Sequence, residues 1–354
     1  MRRIRSSIRR WRIRRGLRGA FSRAETVEVE LPDLRLVILS DLHRGARDGA
    51  DDFAACEENH SAALGYYLEA DYRLLVLGDA EELWECRPEE VLREYEHNLR
   101  LEARFLPDRY ERFWGNHDDP WRHRGEVERH LQSLLPGLRV REALKLRLMG
   151  GPPGLLFLAH GHQGTLWSDH LAFLSRFAVR YPWRWLQRIL RFRSVTPATD
   201  FRLRHDHERA MLEWASAQRP GLVLITGHTH RPVFLHPRSR PEPDRSSGRI
   251  KGELEEARAG GTDPEAVAML RAELELARAA ELRSGEGHRR LPVRGGPPCY
   301  FNTGACSFAD GTVTGIELAE EEIRLVRWQT GHEERPERRI LERQPLAEVL
   351  EALG

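Results

Sequence analysis

Asp, Asn and His recur in this chain in short clusters, each placed directly after an apolar run. Asp41-Leu42-His43 follows Leu36 to Ser40, and Gly78-Asp79-Ala80-Glu81-Glu82 follows Leu74 to Leu77. Gly115-Asn116-His117-Asp118 follows Arg112-Phe113-Trp114. His160-Gly161-His162 follows Leu155 to Ala159, and Gly227-His228-Thr229-His230 follows Leu222 to Thr226. A plain turn would explain any one of these. Five strand-like runs that all end in oxygen and imidazole donors call for more. In open α/β sheets, ligands gather at the carboxyl ends of strands. Five such ends converging on one edge would supply enough donors for two divalent metals. The i, i+2 spacing within DLH, HGH and GHTH puts alternate side chains on one side of an extended segment, so two ligands can reach one centre.

The chemistry suited to such a centre is attack of water on a phosphoester. Water is a poor nucleophile near neutrality, and a bound metal lowers its pKa towards about 7. Two metals roughly 3.5–4 Å apart can hold one bridging hydroxide and two phosphate oxygens. Asp79 is the best-placed anionic bridge. Asp41, His43 and one histidine of the 228/230 pair would complete one site, and Asn116, His160 and the other histidine the second. His117 can face a substrate from the turn that carries Asn116, and Asp118 can orient it. Arg44, after His43, and Arg231, after His230, could each clamp a phosphate bidentately or fill the rim. His162 reads as supporting a ligand rather than being one. His205 and His207, at i, i+2 on a helix, read as solvated or packing residues. Trp84 reads as core. A donor set with no thiolate suits Mn²⁺, with Fe, Mg²⁺ and Zn²⁺ as alternatives.

The elements that must position these residues alternate between strand and helix, which favours an α/β core. Strand signals cover 33–40, 73–77 and two or three segments within 138–159. Helix signals cover 51–70, 88–106 and about 125–135. Residues 164–218 interrupt the alternation with helices. The piece around Trp183 to Phe192, apolar with arginines, reads as a cap over a lipid-like substrate or as a packed helix. A second insertion spans 237–297, with a clear helix at 263–282 flanked by loop-like sequence. Strands resume at 299–302, 311–318 and 322–328, and a short helix closes the chain. The organisation is a basic arm (1–30), a main domain (31–330) and a C-terminal tail helix (331–354).

The chain has 354 residues and a formal net charge of +1, from 56 Lys and Arg against 55 Asp and Glu. No global field points to nucleic acid. The four cysteines form no paired framework, which suits a reducing cytosol. No apolar run reaches the roughly 18 residues needed to span a bilayer, and residues 1–23 lack the apolar h-region expected of a secretory signal. Residues 1–23 are rich in Arg and hold no acid. With Ile4, Ile8, Trp11 and Ile13 at near-helical spacing, they read either as an amphipathic helix on an anionic membrane surface or as a basic tail. The expected location is cytoplasmic, with peripheral attachment at the inner membrane face.

These motifs resemble those of the calcineurin-like metallophosphoesterase superfamily: DxH, GDxxD/E, GNHD/E, a lone ligand histidine and GHxH. All occur, in order, across about residues 36 to 236. The resemblance implies a four-layer α/β/β/α sandwich of two mixed sheets, here with helical insertions. It implies a dinuclear hydrolase whose metal-bridging hydroxide attacks a phosphoester or pyrophosphate in line. Asp41, His43, Asp79 and His230 would hold one metal, and Asp79, Asn116, His160 and His228 the other. His117 would donate to the leaving oxygen or stabilise the transferring phosphoryl, and Asp118 would orient it. Ser40 to His43, Trp84, the helical insertion and Gly227 to Pro232 look like the UDP-2,3-diacylglucosamine hydrolase branch, which implies a lipid-linked or nucleotide-diphosphate substrate. The alternatives are a nuclease or other phosphodiesterase of the superfamily, or a non-catalytic metal-binding scaffold.

Overall fold

The computed structural model describes residues 2–49, 51–164, 201–218, 221–235, 299–331 and 333–353. In chain order the elements are α1 (Arg2–Arg23), β1 (Glu25–Glu30), β2 (Leu36–Leu39), α2 (Glu57–Glu69), β3 (Arg73–Leu77), α3 (Pro88–Glu94), α4 (Glu96–Ala103), β4 (Tyr110–Phe113), α5 (Arg124–His130), β5 (Val140–Arg141), β6 (Ala143–Met149), β7 (Gly154–Ala159), α6 (Phe201–Ser216), β8 (Val223–Thr226), β9 (Pro232–Leu235), β10 (Cys299–Thr303), β11 (Val313–Ala319), β12 (Glu322–Thr330), β13 (Pro336–Pro345) and α7 (Leu346–Glu351).

Uncharged runs become inner strands because both of their faces can be buried. β2 and β8 are buried along their whole length. The seven-stranded sheet runs β13-β12-β11-β2-β3-β4-β5, with β2 to β5 mutually parallel and the other pairs antiparallel. The six-stranded sheet runs β1-β6-β7-β8-β10-β9. In it β1/β6, β7/β8 and β8/β10 are parallel, while β6/β7 and β10/β9 are antiparallel.

The sheets stack through Leu36, Ile38, Leu75 and Ile316 of one and Leu146, Leu156, Val223 and Phe301 of the other. The next residue along each strand points the other way. Val37, Leu74 and Val76 therefore meet Leu64 and Tyr67 of α2, Val91 of α3, Leu99 of α4 and Val127 of α5. On the opposite side Phe157, Leu224 and Tyr300 meet Ile13 and Leu17 of α1 and Met211 and Trp214 of α6. Each such side chain, fully buried, contributes about 1.5–3 kcal/mol. The result is the expected four-layer α/β/β/α sandwich of two mixed sheets.

Three segments differ from the sequence reading. Residues 1–30 are not a separate arm: α1 buries one face, and β1 extends the six-stranded sheet by pairing with β6. Residues 331–354 are not only a tail helix, because β13 occupies Pro336–Pro345 before α7 begins. The helix expected at 88–106 divides at Tyr95 into α3 and α4. Of the insertion at 164–218 the described part is Gly164 and 201–218. The Trp183 to Phe192 segment and the insertion at 237–297 lie outside the described residues.

Candidate metal centre

The parallel arrangement of β2, β3 and β4 brings their carboxyl ends to one edge, and that of β7 and β8 does the same in the facing sheet. Past the strands the backbone stays laced. The amides of Asp41 and His43 donate to the carbonyls of Gly78 and Asp79 at 3.1 and 2.9 Å, and the Gly227 amide donates to the His160 carbonyl at 3.0 Å. Asp41, His43, Asp79, His228 and His230 all have left-handed backbones, with φ between 50° and 68°. They are half of the ten described non-glycine residues in that region. Each costs about 1–2 kcal/mol relative to the right-handed conformation, so the surrounding contacts hold them there. Gly115 is part of that holding: a Cβ on it would overlap the Asp79 carboxylate.

Three groups of donor atoms result among the described residues, Asp41/His43/His230, Asp79/His160/His228 and His43/Glu82/His117, each with its atoms within 4.8 Å of one another, and the first two hold the expected ligands. His230 Nε2 lies 3.2 Å from Asp41 Oδ1 and 3.1 Å from His43 Nε2. His160 Nε2 lies 3.1 Å from Asp79 Oδ2. The groups adjoin: His43 Nε2 is 3.9 Å from Asp79 Oδ2, and His160 Nε2 is 4.0 Å from Asp41 Oδ1. Asn116, on the turn after β4, sits beside them, since the His117 amide donates to Asp79 Oδ1 at 2.7 Å.

Asp41 Oδ1, Asn116 Oδ1, His160 Nε2 and His228 Nε2 are buried and make no hydrogen bond of good geometry. Such orphaned atoms cost about 1–3 kcal/mol each, and native interiors rarely keep them without a reason. A cation at each group would satisfy them. The residues present therefore fit divalent metals, with donors of oxygen and imidazole only. The free cysteines Cys56, Cys86 and Cys306 are buried and join neither group. Burial would raise the Asp79 carboxyl, but His160, His117 and His43 hold it well below the usual carboxylate range. Burial, reinforced by His207 and His160, keeps His228 neutral, the form that ligates metal.

His117 is held by Glu82, not by Asp118 as expected. Glu82 Oε2 accepts from His117 Nδ1 at 2.6 Å and from His43 Nδ1 at 3.0 Å. Asp118 accepts instead from the amides of Gly115 and Ala80, at 2.6 and 2.8 Å, and so ties the β4 turn to the β3 turn. Burial opposes charge on His117, but Glu82 and Asp79 outweigh it and lift the imidazole to about 10. Trp84 lies flat against the ring, centroids 3.9 Å apart and planes at 21°. Glu82 is the last position of GDAEE, and nothing in the spacing of that motif points to His117, 35 residues further on.

Arg44 is not a phosphate clamp. It is completely buried, bonded to Glu102, to Asn98 at 2.5 Å and to Glu81 at 3.4 Å. Its guanidinium lies 5.2 Å from the Phe53 ring centroid. Arg231 makes the bidentate grip expected of it, but on Glu208 of α6, at 2.9 and 2.7 Å.

His162 is buried beside His160 and Trp114, and burial drops its imidazole to about 3. His207 is buried with Nε2 3.1 Å from the Gly161 carbonyl oxygen, and its ring is 4.8 Å from that of His228. One residue had no sequence signal at all. Asn302 of β10 donates to the Gly227 carbonyl at 2.6 Å and to the Thr226 and Thr229 hydroxyls, while its Oδ1 accepts from the Gly304 amide. It braces the turn that carries His228 and His230.

No family model matches the sequence, and no curated protein matches it. A solved structure of a Vps29 single mutant from Entamoeba histolytica is similar at 13% identity and a TM-score of 0.31, covering 87% of this chain and 100% of that chain. At that score the likeness carries no argument about this chain.

Proposed function

We propose that this chain is a metal-dependent phosphoesterase of the calcineurin-like type, hydrolysing a phosphoester or pyrophosphate bond. The observation that carries the reading is the pair of adjoining donor groups, Asp41/His43/His230 and Asp79/His160/His228, with Asn116 Oδ1 and His228 Nε2 buried and unpartnered beside them. Asp79 and Asn116 lie where the groups meet and would be shared between them or complete the second. Divalent cations held there would supply Lewis acidity to the phosphoryl oxygens and lower the pKa of water towards about 7.

The chain's own residues supply the rest. Glu82 fixes Nδ1 of His117, which leaves Nε2 to carry a proton to the leaving oxygen. Without metal, Glu82 and Asp79 both favour the charged ring; bound cations would oppose that charge, and Glu82, which is outside the two ligand groups, would still favour it. Trp84 limits the ring's rotation from one face. A lipid-linked or nucleotide-diphosphate substrate is the finer form of this proposal. The motif order and the sequence of the 164–218 insertion support it.

The test is metal analysis of the full chain after exposure to Mn²⁺, followed by assays on a phosphomonoester, a phosphodiester and a pyrophosphate. We expect about two metals per chain and hydrolysis of at least one substrate, abolished by chelation. Fewer than one metal at saturating Mn²⁺ would remove the basis for the proposal. Full metal loading with none of the three substrates cleaved would favour a non-catalytic scaffold.

A further inference from the structure

α1 carries ten arginines and no acidic residue. Its inner face is spoken for: Ile13, Leu17 and Ala20 are buried against the six-stranded sheet and α6. Its flanks are neutralised. Arg9 and Arg10 pair with Asp206 at 3.1 and 3.7 Å, Arg14 with Glu213 at 2.8 Å, and Arg23 with Glu142 at 2.9 Å. The outer face is different. Ile8 and Trp11 are each 53% exposed, more than any other described large hydrophobic residue. Arg15 and Arg18 are exposed beside them, with the Arg15 guanidinium 5.4 Å from the Trp11 ring centroid. Positions 8, 11, 15 and 18 follow helical spacing, so they form one stripe.

A stripe that joins an indole and an isoleucine to arginines, with no carboxylate, is complementary to one kind of surface. Polyanions such as nucleic acid reward the arginines but not the exposed Ile8. An anionic bilayer rewards both: the indole settles at headgroup depth, Ile8 enters the acyl boundary, and the guanidiniums meet lipid phosphates. We propose that the outer face of α1 docks this protein on an anionic lipid surface. The attachment is peripheral, since no described helix is long and apolar enough to cross a membrane. It also lies close to the metal centre. The backbone at Gly16 presses on Gln163 and Gly164, just past His160 and His162, so closely that a Cβ on Gly16 would overlap them. A bilayer on the outer face would stand about one helix diameter, roughly 10–12 Å, from that loop.

The test is co-sedimentation of the full chain with phosphatidylcholine vesicles, with and without phosphatidylglycerol, at low and high salt. We expect binding only to the anionic vesicles, reduced by salt as screening shortens the attraction. Arg15→Gln with Arg18→Gln should weaken partitioning by about twenty-fivefold, because each arginine near such a surface is worth about fivefold. Trp11→Ser should weaken it at both salt concentrations. All of these positions are exposed, so thermal melts and Mn²⁺ content should match the parent chain and separate a docking defect from misfolding. No binding to anionic vesicles at low salt overturns the proposal, as does equal binding by the variants. So does a parent chain that is dimeric and made monomeric by Trp11→Ser, which would assign the stripe to a second copy. Variants that lose duplex DNA binding but keep vesicle binding would assign it to nucleic acid.

Discussion

Two clusters of buried charge lie back to back in this protein, and they are built on opposite plans. Arg44, Arg112, Glu81 and Glu102 form a group in which every carboxylate has a guanidinium. The side chains of Asn98, Trp121 and Tyr110 take up further bonding positions. One residue away on either side, at His43 and Glu82, begins the other cluster. There Asp41, Asp79 and the imidazoles converge, with no lysine or arginine paired to the two carboxylates among the described residues, on strained backbone, with acceptor atoms left over. A charged interior is stable when its charges are matched. The first cluster carries its own counter-charge, and the second has the donors to take a cation from outside. A shared sequence neighbourhood therefore says nothing about role: Asp79 and Glu81 are two residues apart and belong to different plans.

The contrast can be pressed from its strongest consequence downwards. Asp79→Asn should cut phosphoesterase activity by more than about a thousandfold. In the metal-free chain it should lower the melting temperature only modestly, because His160, His117 and His43 lose the carboxylate that faces them but the strands and their packing remain. A large fall in metal-free stability would mean that Asp79 is structural after all. Arg44→Met should do the reverse. It should cost about 3–5 kcal/mol in urea unfolding by stranding Glu102, while metal bound per folded molecule stays at the parent value. Glu82→Gln should keep the metals but lower kcat by roughly 10–100-fold, most for substrates with poor leaving groups, because it loosens His117, the proposed proton donor. Equal losses across a leaving-group series would separate Glu82 from proton donation.

The mildest effect concerns pH. Burial and the neighbouring Arg44 depress the His60 imidazole from its ordinary 6.5 to about 3. A histidine that is neutral when folded and free to protonate when unfolded gives the unfolded state extra protons between those values. Stability should therefore fall as pH drops from 6.5 towards about 3, and the fall should be shallower in His60→Leu. Urea midpoints measured across that range check the slope.

The sequence carried some of this and withheld the rest, for physical reasons. β2, β3, β7 and β8 were legible because a central strand buried on both faces needs an unbroken apolar run. β1 and β13 were missed because they are edge strands: Glu-Thr-Val-Glu-Val-Glu and the Arg- and Glu-rich run at 336–345 put charge where an edge meets water. The donor residues were readable because metal geometry fixes their spacing along the chain. The fate of Arg44 was not, since its partner Glu102 is 58 residues away and only the packed α4 brings it there. Asn302 was equally hidden, 75 residues beyond the Gly227 carbonyl it holds.

The division of the donors between two sheets has a further consequence. His43 hangs from the seven-stranded sheet and His230 from the six-stranded one, 187 residues apart in the chain. A cation gripping both would act as a removable rivet across the seam, closing a loop whose entropy cost grows only slowly with its length. Its contribution follows mass action, about 2.7 kcal/mol when free metal stands a hundredfold above its dissociation constant. Metal supply would thus become a tensioner on the whole sandwich. Where metal is scarce the seam lined by Leu36, Leu75, Leu156 and Val223 would open more often, and proteases that sample open chains would remove the protein in proportion.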